Sequence, residues 1–211
     1  MNNQRAQVGW GFWLRWVLAS TVGLAVALGV GWTVGGGLEE ALGGAAAGAV
    51  AGAILATSVG IAQWLVLRRQ VSWAGWWVLA STVGMAVGFA VAFGVLEAVL
   101  EAVAFGVGWA VVGAVAGASV GIAQWLVLRR QVSRPGWWVL ASIVGLAVGF
   151  GVAFTVLEAG VVGGAGAGDV VVLEAVAFAV GGAVDGAITG SVLVWLLLQP
   201  STKELLPQDA A

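Results

Sequence analysis

Residues 60–69 read Gly-Ile-Ala-Gln-Trp-Leu-Val-Leu-Arg-Arg, and residues 121–130 repeat the same letters in the same order, 61 positions later. Each copy is an uncharged, apolar run that stops at a pair of arginines. The same offset governs the chain upstream. Trp16-Val17-Leu18-Ala19-Ser20-Thr21-Val22-Gly23 returns from Trp77 to Gly84, and again from Trp138 to Gly145 with Ile143 in place of threonine. Self-similarity at a fixed period marks tandem structural units. Three units follow, at about 16–76, 77–137 and 138–198 within a single membrane domain that spans residues 1–211. The third is stretched. Glu101-Ala102-Val103-Ala104-Phe105 reappears at Glu174 to Phe178, an offset of 73, so 12 residues are inserted near 160–171. Their Gly and Val content reads as a loop elaboration.

Composition fixes the solvent in which these units fold. Of 211 residues, 61% are hydrophobic and 9% charged, against roughly a quarter charged in soluble domains. So few charges could not cover a globule of this size in water without large apolar patches, so the bilayer is the expected solvent. Gly contributes 35 residues, which in so apolar a chain points to close helix contacts. Cys, His and Tyr are absent altogether. That removes thiol nucleophiles, disulfides, the common zinc sites and His-ligated haem or pigment. The net charge of -2 argues against a nucleic-acid partner.

Roughly 20 apolar residues cross a hydrocarbon core about 30 Å thick, and six charge-poor runs of that kind are present. They extend approximately over 16–38, 41–67, 76–96, 102–128, 136–157 and 173–198. The predicted fold is therefore all-α and integral to the membrane, with six transmembrane helices. Residues 1–27 resemble a secretory signal, with Arg5, Arg15 and Ala25-Val26-Ala27, yet their register recurs in the later units and argues against cleavage. Basic residues set orientation. Arg5, Arg15, Arg68, Arg69, Arg129, Arg130, Arg134 and Lys203 fall on one side of the six-span arrangement, and Glu39, Glu40, Glu97, Glu101, Glu158, Asp169 and Glu174 on the other. Both termini are expected in the cytoplasm. Eleven tryptophans, among them Trp16, Trp77 and Trp138, lie toward the basic side, where an interfacial aromatic belt is expected.

Small residues at four-residue spacing share a helix face and let backbones approach. Ala19, Gly23, Ala27, Gly31 and Gly35 form one such ladder, and Gly44, Gly48, Gly52, Ala56 and Gly60 the next. Gly113, Gly117 and Gly121 in the fourth span correspond to Gly182, Gly186 and Gly190, shifted by one step, in the sixth. Because each unit has two spans, successive hairpins are parallel and could surround a pseudo-threefold axis along the membrane normal. A linear row of hairpins satisfies the same pattern.

Asp185 stands inside the sixth span, and an intramembrane carboxylate is a functional candidate by default. Thr189 lies one turn later on its face, while the positions matched to Asp185 in the other units are Val112 and Ala51. Glu40, Glu101 and Glu174 form a second candidate, an acidic mouth that would concentrate cations. Each would also sit at the start of an even-numbered span, where the helix dipole alone favours a carboxylate. Gln63 and Gln124 could cross-link helices or hold a pigment's magnesium; the third unit has Leu197 nearby instead. The pairs Arg68-Arg69 and Arg129-Arg130 are candidates for lipid headgroups, although orientation alone accounts for them. No residue set suggests a metal site or catalysis. Gly117 to Gly121 fits G-x-S-x-G without any His to serve as base, and Gly166-Ala167-Gly168-Asp169 fits the signature of intramembrane aspartyl proteases poorly, with no Tyr and no preceding Asp.

The two copies of Gly-x-x-Gln-Trp-Leu-x-Leu-Arg, at Gly60 to Arg68 and Gly121 to Arg129, resemble the tandem hairpins of small multi-pass bacterial membrane proteins of uncharacterised activity. The resemblance covers most of residues 1–158 and implies the bacterial inner membrane or an internal membrane derived from it, without bringing catalytic residues. Two functions fit. One is a non-enzymatic scaffold or accessory subunit of a larger, even pigment-containing, membrane complex, with lipids and other transmembrane subunits as partners and bound lipid as the expected non-protein component. The other is a small cation or proton-linked channel or transporter using Asp185 and the acidic mouth.

Overall fold

A computed structural model describes residues 8–71, 73–164 and 166–199, excluding the side chains at 28–36, 95–102, 167 and 168. The described residues form six helices: α1 (Trp10–Leu42), α2 (Gly44–Leu67), α3 (Gly75–Ala102), α4 (Phe105–Leu128), α5 (Gly136–Val162) and α6 (Ala167–Leu198). All six contain runs long and apolar enough to cross a membrane. Such helices are apolar around their whole circumference, as expected where lipid rather than water covers the outer wall. Spanning as helices also satisfies every backbone N–H and C=O inside the segment, which the bilayer core requires.

At the acidic edge the connections are minimal. Gly43 alone joins α1 to α2, with φ +79°, and Gly164 has φ +90° between α5 and α6. Both lie in the left-handed region that a Cβ disfavours. At the basic edge the two connections match each other: Val71 N–H donates to Leu67 O at 3.1 Å, and Val132 N–H to Leu128 O at 3.2 Å. Both valines are buried under the helix ends.

Each helix packs on its neighbours in the chain, and α1 packs on α6. The helices therefore close into a ring rather than a row. The glycine ladders explain the closure, because each turns toward the next helix. A Cβ on Gly23 of α1 would stand 2.8 Å from Val59 Cα of α2, and one on Gly60 of α2 would stand 3.2 Å from Ser81 Cβ of α3. Gly84 and Gly88 of α3 meet Val120 and Ala116 of α4 in the same way. Gly117 and Gly121 of α4 press on Ser142 and Ile143 of α5, and Gly145 and Gly149 of α5 press on Asp185 and Gly181 of α6. Finally Gly182, Gly186 and Gly190 of α6 meet Ser20, Val17 and Trp16 of α1. In a row this last ladder would face lipid; in the ring it is used.

Three expectations need correction. Residues 160–171 are not mainly a loop: α5 continues to Val162 and α6 begins at Ala167, so most of the insert lengthens two helices. Trp16, Trp77 and Trp138 do not belong to the interfacial belt, being 0, 0 and 2% exposed. The belt is represented instead by the exposed Trp10, Trp73, Trp76, Trp137 and Trp195. Nor do Glu40 and Glu101 begin even-numbered helices. They lie in the last turns of α1 and α3, where the helix dipole disfavours a carboxylate, and Glu174 lies in the second turn of α6. The dipole explanation fits Asp169 alone, whose Oδ2 accepts from Gly166 N–H at 3.2 Å at the start of α6.

Candidate functional site

The odd-numbered helices carry the same interior stripe, one residue per turn. It reads Trp16, Ser20, Leu24 on α1; Trp77, Ser81, Met85, Phe89 on α3; and Trp138, Ser142, Leu146, Phe150 on α5. Residues four apart share a face, so the ring stacks the three stripes in layers.

The first layer is a tryptophan triad. Ring centroids lie 5.8 Å apart for Trp16 and Trp77, 5.9 Å for Trp16 and Trp138, and 5.3 Å for Trp77 and Trp138, all edge to face. This arrangement sets the positive edge of one ring on the negative face of another, worth about 0.5–1.5 kcal/mol per pair beyond burial. Side chains from alternate helices of a six-membered ring can touch pairwise only at its centre. The triad therefore fills the axis near the basic edge.

Directly beneath lies a layer of hydrogen bonds. Trp77 Nε1 donates to Gln63 Oε1 at 3.0 Å, and Gln63 Nε2 donates to Ser20 Oγ at 3.1 Å. One unit later Trp138 Nε1 donates to Gln124 Oε1 at 2.9 Å, and Gln124 Nε2 to Ser81 Oγ at 2.8 Å. Each glutamine thereby ties three helices together. The third unit has no glutamine here. Trp16 Nε1 donates to Thr189 Oγ1 at 3.0 Å, and Thr189 is too short to continue to Ser142, whose hydroxyl donates to Trp138 O at 2.9 Å.

These contacts correct the register of the third unit. Thr189, not a residue near Leu197, stands where Gln63 and Gln124 stand. Gly145 meets Asp185 as Gly23 meets Val59 and Gly84 meets Val120, so Asp185 replaces Val59 and Val120 rather than Ala51 and Val112. The repeated Glu-Ala-Val-Ala-Phe letters thus sit about two turns out of step with the contacts.

Between the polar layer and the apolar half of the ring lies a cavity of about 60 Å³. Its oxygen-bearing lining comprises Ser20, Ser81, Ser142, Asp185 and Thr189, with Gln63 and Gln124 beside them. Asp185 Oδ1 is buried and has no hydrogen-bond partner among the described residues. A Cβ on Gly145 would come 2.5 Å from that oxygen, so Gly145 is what admits the carboxylate. On the far side, aromatic rings again fill the interior. Phe89 and Phe150 meet at 5.8 Å, Phe154 and Phe178 at 5.2 Å, and Trp109 stacks on Phe154 at 3.7 Å.

The structure thus brings Asp185, Thr189, Gln63 and Gln124 into one site, whereas the sequence paired Asp185 with Thr189 and Gln63 with Gln124 separately. Ser20, Ser81, Ser142 and the three tryptophans complete it. Their signal was present as Trp-Val-Leu-Ala-Ser, written three times. The acidic candidates lie elsewhere: Glu40 is exposed, Glu174 is half-buried, and the side chain of Glu101 is outside the described residues. Arg68, Arg69, Arg129 and Arg130 are exposed at the basic edge. Arg68 lies over the Trp64 ring at 5.7 Å and Arg129 over Trp125 at 5.5 Å, a cation–π arrangement. Arg129 and Arg130 also border an outer groove of about 430 Å³ with Trp73, Trp76 and Leu79. Among the described residues no group of three or more acidic side chains could hold a metal ion. No protein-family model, curated protein or solved structure matches the chain.

Proposed function

We propose that this protein is a non-enzymatic integral membrane scaffold or accessory subunit, built as three tandem parallel hairpins about a pseudo-threefold axis in a bacterial inner or derived internal membrane. One observation carries the reading: the ring's axis is filled by aromatic layers on both sides of a small cavity, while its outer wall is continuous apolar surface. The wall is formed by exposed stripes such as Leu18, Val22, Val26; Leu79, Val83, Val87, Val91; and Leu140, Val144, Val148. A translocation path needs a polar lining along its length. Here the polar groups at the axis, Ser20, Ser81, Ser142, Gln63, Gln124, Asp185 and Thr189, are gathered around one small cavity. A ring whose glycine ladders are used between its own helices presents mainly branched aliphatic and tryptophan side chains among its described residues, suited to lipid tails and to helices of other subunits. The outer groove beside Arg129 and Arg130 suits an anionic lipid, with its headgroup at the arginines and its tail along Leu79 and Val83.

Gentle solubilisation from native membranes, with subunit masses and an absorption spectrum taken on one peak, tests the proposal. Other transmembrane subunits in fixed ratio, with or without a visible pigment band, are the expected result. The purified chain alone conducting protons or cations across liposomes, above protein-free vesicles, would overturn it in favour of transport.

A further inference from the structure

The hydrogen-bond accounting of the polar layer leaves one residue unprovided for. Trp77, Trp138, Gln63, Gln124, Ser20 and Ser81 satisfy one another in two complete sets. In the third set Thr189 donates to Asp185 O at 2.8 Å and accepts from Trp16. Ser142 Oγ spends its proton on Trp138 O, which leaves its lone pairs to the cavity. Asp185 Oδ1 has no hydrogen-bond partner among the described residues. An ionised carboxylate needs donors or a counter-charge, and the described arginines all stand toward the basic edge. A neutral carboxyl would need a partner at the same oxygen, and no donor or acceptor among the described residues lies within hydrogen-bond distance of Oδ1. In neither protonation state do the protein's own groups complete this oxygen. Leaving a charge so placed is among the costliest arrangements a low-dielectric interior can hold.

What the site does supply is space and oxygen atoms. A volume of about 60 Å³ corresponds to roughly two waters at about 30 Å³ each. Hard cations take oxygen ligands from carboxylates, hydroxyls and water. One carboxylate calls for one positive charge. The loss of glutamine at 189 and the gain of aspartate at 185 occur together, in the one unit where Ser142 is left without an amide donor. We propose that the cavity binds a single small monovalent cation, with sodium as the fitting ion, held by the Asp185 carboxylate and the Ser142 hydroxyl with water completing its shell. The ion is a fixed part of the fold, so the inference does not rest on the scaffold reading or on transport.

The test uses the full chain purified in detergent, melted in sodium chloride and in choline chloride at equal ionic strength. The midpoint should rise with sodium by about 3–6 °C for each tenfold increase above the binding midpoint, and choline should have no such effect. Radioactive sodium should bind at one ion per chain. Asp185→Asn should abolish both. Should Asp185→Asn fail to fold, the double variant Asp185→Val with Thr189→Gln restores the pattern of the other two units and should fold with a midpoint indifferent to sodium. Equal midpoints in the two salts, or a sodium response that survives removal of the carboxylate, would overturn the proposal and leave water or a bound proton as the companion of Asp185.

Discussion

Trp16 Nε1 donates to Thr189 Oγ1 at 3.0 Å, joining residues 173 positions apart and closing the first helix onto the last. The bond is the counterpart of Trp77 to Gln63 and of Trp138 to Gln124, with threonine in the acceptor's place. Ring closure is therefore written in side-chain chemistry as well as in backbone approach.

This closing contact gives a stability prediction in two directions. Thr189→Val removes the acceptor, leaves a buried indole N–H unpaired, and should cost about 1–3 kcal/mol. Thr189→Gln should accept from Trp16 and reach Ser142 as the other glutamines reach their serines, gaining about 0.6–1.7 kcal/mol. Thermal or denaturant unfolding in detergent measures both, and equal effects from the two substitutions would sink the account.

The glutamines are predicted to be cross-links. Gln124→Leu should leave Trp138 Nε1 without its acceptor and Ser81 Oγ without a donor, destabilising by about 1–3 kcal/mol. Substitution of the exposed Ile122, two residues before Gln124, by Leu should be silent within about 0.5 kcal/mol. Unfolding midpoints would register the difference.

Glycines divide into two groups with opposite expected outcomes. At Gly117 and Gly113 a Cβ would drive into the backbone of α5 at Ser142 and Leu146, so Gly117→Ala and Gly113→Ala should each cost about 1–3 kcal/mol by overpacking. Gly94 in α3 has open space around a built Cβ. There, Gly94→Ala should stabilise by about 0.5–1 kcal/mol through helix propensity. A ladder that tolerated alanine as well as Gly94 does would contradict the packing described.

Orientation can be read chemically because the chain has no Cys of its own. Single cysteines at Gly43, in the acidic-edge turn, and at Ser133, in the basic-edge connection, should be labelled by an impermeant maleimide from opposite sides. In intact cells only the Gly43→Cys variant should react, since the basic edge is expected in the cytoplasm. Reaction of Ser133→Cys alone would invert the topology.

The six helices and the use of the glycine ladders were legible because the bilayer permits few solutions: apolar length, charge-free interiors and small residues at four-residue spacing map directly onto spanning helices. The role of Trp16, Trp77 and Trp138 was not. Tryptophan suits both an interface and a hydrogen-bonded interior, so the recurrence of Trp16, Trp77 and Trp138 marked the position without saying that it faces the axis. The register of α6 misled for another reason. Glu174 to Phe178 copies Glu101 to Phe105 in letters, but helix contacts are set by where small residues meet large ones. Gly186 seated on Ser20 outweighs a repeated pentapeptide.

The handing of each glycine face to the next helix has a topological corollary. Since α6 meets α1 through the same kind of contact that α2 makes with α3, no interface in the ring depends on where the polypeptide starts. A circular permutant opened in the connection at 68–74 and joined through a linker at the original ends would keep all six helix pairings. The ring is in this sense without a first or last element, and Asp185, Thr189 and the lengthened helix ends at 160–171 are what tell one third of it from the others.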